Sequence, residues 1–154
     1  MTEIRFYLPT DIPYGVLSNY YPRPLLFEGS TYPSSEHAYQ AAKARRPAVR
    51  DWLATAPTAM LAAAAGDGLP ADEIASGWTS RQVPLMRAIL LAKFTQHADL
   101  QIILLSTGDA LLIESAPEDN ATNRFWSKVG DEGKNMLGQL LMELRSALRG
   151  APGA

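Results

Sequence analysis

The sequence predicts one mainly helical α+β domain with a small antiparallel sheet. Three observations favour this class: the chain has 154 residues of which 47% are hydrophobic, its apolar residues recur mostly at helical spacing, and two short strand-like segments lie near the N-terminus. A chain of this length buries enough apolar surface for a single core. We therefore expect one domain over residues 1–150 and a short flexible tail over residues 151–154.

The strand-like segments are residues 4–8 and 25–32. The second segment contains Glu28-Gly29-Ser30, whose residue types are typical of a hairpin turn. We expect the two segments to form one small sheet.

A helix is predicted directly after the hairpin. Pro33 and two serines precede a run of good helix formers. The hydroxyl of Ser34 or Ser35 can accept a hydrogen bond from the free backbone N–H groups of the first turn. The predicted helix therefore begins at these serines.

Apolar spacing and turn residues predict four further helices and one ambiguous segment. Residues 66–77 are rich in Gly, Pro and Asp and predict a loop or a broken helix. Asn135 is placed to cap the last helix and Gly150 to end it. The helices are predicted over residues 56–66 and 82–97, from Asp99 onward, and over residues 135–150, while residues 110–115 fit either a strand or a helix end.

The composition excludes several classes of function. The formal net charge is −2, so no global positive field attracts a polyanion and any nucleic-acid contact must be local. The chain has no cysteine, which excludes disulfides, thiolate nucleophiles and cysteine-bound zinc. Its two histidines, His37 and His97, have no metal-ligand spacing. We expect no bound metal and no cofactor.

The sequence also favours a cytoplasmic protein. The N-terminus has no basic start followed by an apolar run, and no apolar stretch reaches the roughly 20 residues that span a bilayer. We therefore expect no membrane partner. The sequence does not specify an oligomeric state.

The most informative segment is SEHAYQAAK at residues 35–43. At about 100° per residue, Gln40 and Lys43 fall within about 40° of Glu36, and alanines supply a small-residue face for the core. We call these three residues the polar stripe. A carboxylate, an amide and an ammonium on one face of an alanine-rich helix suit the wall of an active site.

Five sequence blocks occur in order along the chain. They are YGVLSNYYP at residues 14–22, SEHAYQAAK at 35–43, AKFTQ at 92–96, STGD at 106–109 and GKNMLGQLLMELR at 133–145. With these blocks, the chain resembles the NADAR family, the YbiA-like N-glycosidases, from about residue 6 to residue 149. The resemblance implies hydrolysis of an N-glycosidic bond without a metal. Members of that family cleave ribosylamino-pyrimidine phosphates of early riboflavin synthesis, and some remove ADP-ribose from guanine, including guanine in DNA.

The resemblance makes Glu36 the candidate catalytic carboxylate, because it matches the Glu of the family's EHxYQxxK pattern. Departure of the base leaves an oxocarbenium-like sugar, which a fixed carboxylate stabilises while a polar group orients water or protonates the base. Glu36 lies in the first helical turn, where the helix dipole favours the ionised form. We therefore expect Glu36 to stabilise positive charge rather than to donate a proton. The alternative is a solvated Glu in a helix N-terminal turn.

The rest of the polar stripe supplies candidate substrate-binding residues. Lys43 lies about 10 Å along the helix from Glu36, which leaves room for one sugar phosphate between them. Gln40 can bond a ribose hydroxyl. The alternative for Lys43 is an ordinary surface lysine.

Further candidate substrate-binding residues match other family positions. Ser18, Asn19 and Tyr20 match an LSNFYP block, with Tyr for the usual Phe, and suit contacts to a sugar or a base. Trp78 stands where the family has its Trp and can stack on the departing base, and Arg81 can contact phosphate. The alternatives are a turn-forming Asn19, a core position for Trp78 and a surface position for Arg81.

Two positions depart from the family pattern. An acidic residue usually precedes the Trp, whereas this chain has Gly77. The family also has an acidic active-site residue shortly before a Trp-Gly pair, but this chain has an expanded segment over residues 114–126. Either Asp119 reaches the site from the longer loop, or Asn123 takes that position and the second catalytic carboxylate is lost. Such a loss would slow proton transfer, typically by about 10²–10⁴-fold.

These features predict an N-glycosidase that acts on an ADP-ribosyl or ribose-phosphate adduct of a nucleobase. The altered loop favours ADP-ribosylated guanine, with modified DNA as one form of that substrate. One alternative is cleavage of the riboflavin intermediate. The other is a catalytically weak module that binds ADP-ribose or a related nucleotide, for which Asn123 and Gly77 are the reason. The expected partner is thus an ADP-ribosylated base or a ribose-phosphate nucleoside.

Overall fold

The computed structural model describes residues 2–150 and has the predicted α+β class. The predicted tail, residues 151–154, lies outside the described residues. The chain divides into two compact units, one of residues 2–18 with 97–150 and one of residues 19–96, so the expected single domain stays a prediction. In chain order the elements are β1 (Glu3–Phe6), β2 (Leu25–Phe27), β3 (Ser30–Tyr32), α1 (Ser35–Lys43), α2 (Pro47–Ala54), α3 (Ala59–Asp67), α4 (Trp78–Gln96), α5 (Ala98–Ser106), β4 (Leu111–Glu114), α6 (Ala121–Trp126) and α7 (Met136–Gly150).

The predicted single sheet is wrong, because the strands form two separate pairs. β2 and β3 form the antiparallel hairpin that the turn residues predicted, with Leu25 opposite Tyr32. β1 instead pairs in parallel with β4, which places Glu3 opposite Leu111 and identifies the ambiguous segment as a strand. A hairpin partner is set by local turn chemistry, whereas a parallel partner lies far away in sequence and strand patterning does not name it.

The first unit is built on the β1–β4 pair. α7 packs against β4, α5 and α6, and its leucines are buried as the helical spacing predicted. Asn135 comes directly before α7, but its side chain binds the strand: Oδ1 accepts from the Glu114 N–H at 3.0 Å and Nδ2 donates to the Leu112 carbonyl at 2.9 Å. At this position the structure shows a link between α7 and β4, and the helix cap predicted for Asn135 stays a prediction.

The second unit is organised around α1. Ser34 is the residue before this helix and its hydroxyl accepts from the His37 N–H, as predicted for one of the two serines. α1 packs against α2, α3 and α4, so seven of its nine residues are buried. The His37 ring bonds the Ser34 hydroxyl at 2.7 Å and the Ala56 carbonyl at 2.9 Å, which gives this histidine a structural position.

Several helix bounds differ from the predicted ones. α2 was not predicted. α3 begins at Ala59 because the Thr58 hydroxyl accepts from the Leu61 N–H, and it continues one residue past Gly66. α4 begins at Trp78, four residues earlier than predicted, and accommodates Pro84 at an exposed position. Within residues 2–150 no single helix is long and apolar enough to cross a membrane, whereas α4 and α5 taken together would be, by length and composition alone.

Candidate active site

The polar stripe of α1 is buried against neighbouring helices. Glu36 is 8% exposed and Gln40 is 4% exposed, and Lys43 is half-buried. Gln40 Nε2 donates to Glu36 Oε1 at 2.9 Å. The structure therefore brings the three residues together on one face, and the alternative of a solvated Glu36 is wrong.

The C-terminal end of α3 lies against this stripe. Lys43 Nζ donates to the carbonyl oxygen of Gly66 at 3.0 Å. Asp67, the last residue of α3, is close enough to act electrostatically on both Lys43 and Glu36. Gly66 and Asp67 are thus part of the candidate site, although nothing in their sequence positions indicates contact with the polar stripe.

Burial sets the protonation of Glu36. Desolvation is the main cause that raises the pKa of this carboxyl to about 7; the Gln40 hydrogen bond and the Lys43 charge act against it, and the negative charge of Asp67 acts with it. The helix dipole favours an ionised carboxylate, but desolvation opposes that effect at this site and raises the pKa instead. At neutral pH the protonated and the ionised forms of Glu36 are therefore both populated.

Asn19 holds the start of α1. Its backbone carbonyl accepts from the Glu36 N–H at 3.2 Å, and its side-chain Oδ1 accepts from the Ser35 hydroxyl at 2.9 Å. Its Nδ2 donates to the sulfur of Met86 on α4 at 3.5 Å. Asn19 is buried, so its polar atoms fix the backbone of the candidate carboxylate. The neighbouring Tyr20 is half-buried, and Ser18 is a buried residue of the other unit.

Trp78 is the first residue of α4 and lies beside α1. Its ring centroid is 5.2 Å from that of Tyr39, with the two planes inclined by 55°. The indole is half-buried, and its accessible part is available for a stacking role. Gly77 has a φ of +71°, a conformation that strains other residues, so an acidic side chain there would require a different backbone. Arg81, one turn further along, is exposed.

Asp119 and Asn123 lie in the first unit and have local partners there. Asp119 is exposed and its two carboxylate oxygens accept from Arg124 at 2.6 and 2.9 Å. The bonded guanidinium lowers the pKa of Asp119. Asn123 belongs to α6, and its Nδ2 donates to the Glu118 carbonyl at 2.8 Å. Which of the two acts in catalysis stays a prediction.

A further unusual group in the second unit is Lys93. It is 1% exposed and lies on the buried side of α4, with Nζ 5.2 Å from the ring centroid of Phe94 and 6.0 Å from that of Tyr21. Burial lowers the pKa of its ammonium to about 7. The sequence signal was available, because Lys93 interrupts the apolar run of α4, but the sequence analysis gave it no role.

The described chain, residues 2–150, contains no group of three or more His, Cys, Asp or Glu side chains arranged to hold a metal ion. The polar stripe brings a single carboxylate, Glu36, together with an amide and an ammonium. Such a set can bind a sugar or a phosphate and can stabilise developing charge.

Comparison with known proteins shows that the chain is similar to one family over nearly its whole length. The NADAR domain model matches residues 5–149. N-glycosidase YbiA of Shigella flexneri serotype 5b (strain 8401) is 39% identical over 148 residues, which are 96% of this chain and 89% of that protein. The NMR structure of the Escherichia coli protein YbiA superposes with a TM-score of 0.84 at 38% identity, over 96% of this chain and 85% of that one.

A second kind of relative is longer. The riboflavin biosynthesis protein VVA0006 of Vibrio vulnificus (strain YJ016) is 35% identical over 147 residues. The match covers 95% of this chain but 38% of that protein. The similarity is therefore to one part of a larger protein.

Proposed function

Because the chain belongs to the NADAR family and is a hydrolase of N-glycosyl bonds, we propose that it cleaves an ADP-ribosyl or ribose-phosphate adduct of a nucleobase, with Glu36 as its catalytic carboxylate. The observation that carries the proposal is the burial of Glu36 in a fixed hydrogen bond with Gln40. A desolvated carboxylate that does not need to reorganise stabilises a developing oxocarbenium better than one in water.

In the proposed reaction the bond between the anomeric carbon and the base nitrogen breaks first. The bonding electrons leave with the base, which takes up a proton, and a water oxygen then bonds to the anomeric carbon and releases a proton. Ionised Glu36 stabilises the positive charge that develops on the sugar. Gln40 orients that carboxylate, and Lys43 supplies a cation for phosphate at the end of the stripe.

ADP-ribosylated guanine is the first candidate substrate. The support is the altered segment before Trp126, in which Asp119 is bonded to Arg124. A changed segment at a position that belongs to the active site in the family favours a changed substrate. Because the net charge is −2, contact with modified DNA would be confined to local cations such as Arg81.

The ribosylamino-pyrimidine phosphate of riboflavin synthesis is the second candidate substrate. Its support is the printed name of the Vibrio vulnificus relative, a riboflavin biosynthesis protein. Both candidates share one bond type, a base nitrogen joined to the anomeric carbon of ribose.

The test offers both substrates to the purified chain and identifies the products by mass spectrometry. We expect ADP-ribose to be released from an ADP-ribosylated oligonucleotide, which leaves unmodified guanine in the strand, and no product from the same oligonucleotide without the modification. Release of the pyrimidine alone would establish the second candidate instead. Binding of ADP-ribose without turnover of either substrate would contradict the proposal and support the binding module.

The pH dependence tests the ionisation state that acts. Since the pKa of Glu36 is about 7, ionised Glu36 is the minority form below pH 7 and the majority form above it. We expect kcat/KM to rise with pH, with a midpoint near 7 and a plateau above pH 8, because kcat/KM reports the free enzyme. The measurement is the kcat/KM profile between about pH 5 and about pH 9, roughly two units on either side of the midpoint. A fall across the same range would show that protonated Glu36 acts as the acid.

A further inference from the structure

Only one of the two polar atoms of the Gln40 side-chain amide is hydrogen-bonded. Nε2 donates to Glu36 Oε1 at 2.9 Å, whereas Oε1 is buried and has no hydrogen-bond partner among the described residues. A buried amide oxygen without a donor is unfavourable. The amide is therefore not held in this orientation by its own bonds alone, and packing must contribute.

Gly66 provides that packing. A Cβ at this position would overlap the Gln40 amide oxygen and would lie 2.5 Å from Cδ and 3.1 Å from Cγ. Gly66 lies inside α3 directly after four alanines, in a helical conformation that does not need glycine. Because glycine is less favourable than alanine within a helix, the close approach of Gln40 is the reason for a glycine here.

We infer that Gly66 is a positioning residue of the proposed active site, which leaves room for the Gln40 amide and so keeps the Glu36 carboxylate in one orientation. The carbonyl of Gly66 also accepts the Lys43 bond at 3.0 Å, so this one residue contacts both members of the stripe that follow Glu36. The inference rests on the proposed function, in which Glu36 is the catalytic carboxylate. It adds a residue of α3 to a site otherwise defined on α1.

The activity test compares Gly66→Ala with Gly68→Ala, Gln40→Ala and the double variant of Gly66 and Gln40. Gly68 is the matched control, because a Cβ there would lie 3.5 Å from the Ala64 carbonyl oxygen, an ordinary contact. We expect Gly66→Ala to lower kcat by about 10- to 100-fold with KM changed less than about twofold, as displaced catalytic groups do. Gln40→Ala should lower kcat by a similar factor. The double variant should lower kcat no more than either single variant, because all three remove the same interaction between Gln40 and Glu36. Gly68→Ala should keep full activity.

Thermal unfolding gives a test that needs no substrate. Alanine in place of glycine stabilises a helix where there is room for the Cβ. We therefore expect Gly66→Ala to lower Tm in the wild-type background, where Gln40 fills the space, and to raise Tm in the Gln40→Ala background. The same comparison remains possible if Gly66→Ala alone fails to fold, since the double variant has the room.

NMR titration of the Glu36 carboxyl tests whether the hydrogen bond from Gln40 is kept. The charged groups that act on Glu36 are Asp67 of α3 and Lys43 of α1, and both are retained in the variants. Because the Gln40 bond lowers the pKa of Glu36, we expect that pKa to rise in Gly66→Ala and to stay at the wild-type value in Gly68→Ala.

The outcomes separate the inference from the proposed function. If the wild type cleaves neither substrate but the Tm effect changes sign and the Glu36 titration shifts, the proposed function fails and the positioning of Glu36 by Gly66 stands. If Gly66→Ala matches Gly68→Ala in kcat, Tm and titration, the inference is overturned. Losses that multiply in the double variant would also overturn it, because Gly66 would then act independently of Gln40.

Discussion

Glu36→Gln is expected to lower kcat by about 10²–10⁴-fold while the chain stays folded. The substitution keeps the shape and the hydrogen bond from Gln40 but removes the negative charge that the proposed mechanism places beside the developing oxocarbenium. The measurement is single-turnover cleavage of the N-glycosidic bond in whichever substrate the wild type cleaves. Because the charge is used only in the transition state, KM should change much less than kcat.

The matched control for this variant is Glu143→Gln. Glu143 is an exposed residue of α7, so the same chemical change should leave kcat within about twofold of wild type. Full activity of Glu36→Gln would show that another group supplies the charge. Asp119 would then be the next carboxylate to test.

Stability separates a catalytic loss in Glu36→Gln from unfolding. The pKa of Glu36 is raised in the folded state from 4.5 to about 7, so the folded chain loses stability as pH rises from about 4.5 to 7. Above pH 7 the loss in the free energy of unfolding is complete and is on the order of 3 kcal/mol. Glutamine carries no such penalty, so the variant should match wild type near pH 4 and exceed it in stability at pH 8.

Local features of this chain were predictable because local chemistry decides them. Ser34 caps α1 with its hydroxyl, and the turn around Gly29 joins β2 to β3. The spacing of Glu36, Gln40 and Lys43 fixed a common face whatever α1 packs against. Each of these predictions needs only neighbours within a few residues in sequence.

The unpredicted features depend on contacts between distant segments. The pKa of Glu36 follows from burial by helices whose arrangement the stripe does not encode. The close approach of Gln40 to Gly66 requires α1 and α3 to be in contact, and in sequence Gly66 indicated only a helix end. β4 could be identified as the partner of β1 only from the folded chain. Helical periodicity therefore located the candidate site, whereas its electrostatics came from tertiary packing.

Lys93→Met is expected to stabilise the chain at pH 6 by an amount on the order of 4 kcal/mol. Burial lowers the pKa of this lysine from 10.5 to about 7. Above pH 10.5 the lysine therefore costs the folded state no stability, and as pH falls below 10.5 it lowers the free energy of unfolding. The penalty is complete below about pH 7. Methionine has a similar volume and no charge, and replacing a buried charge by an apolar side chain is often stabilising. Urea unfolding at pH 6 and pH 9.5 measures the effect, which should be smaller at the higher pH.

Lys134→Met is the matched control, because Lys134 is exposed and its replacement should change stability by less than about 0.5 kcal/mol at either pH. A loss of stability in Lys93→Met at pH 6 would show that the contacts of the ammonium, including those with Tyr21 and Phe94, outweigh its desolvation. The stability gains of the two variants have opposite pH dependence: the gain of Glu36→Gln grows as pH rises from about 4.5 to 7, and the gain of Lys93→Met grows as pH falls from about 10.5 to 7. Since both charged groups are buried in the same unit, wild-type stability near neutral pH is lowered by each of them.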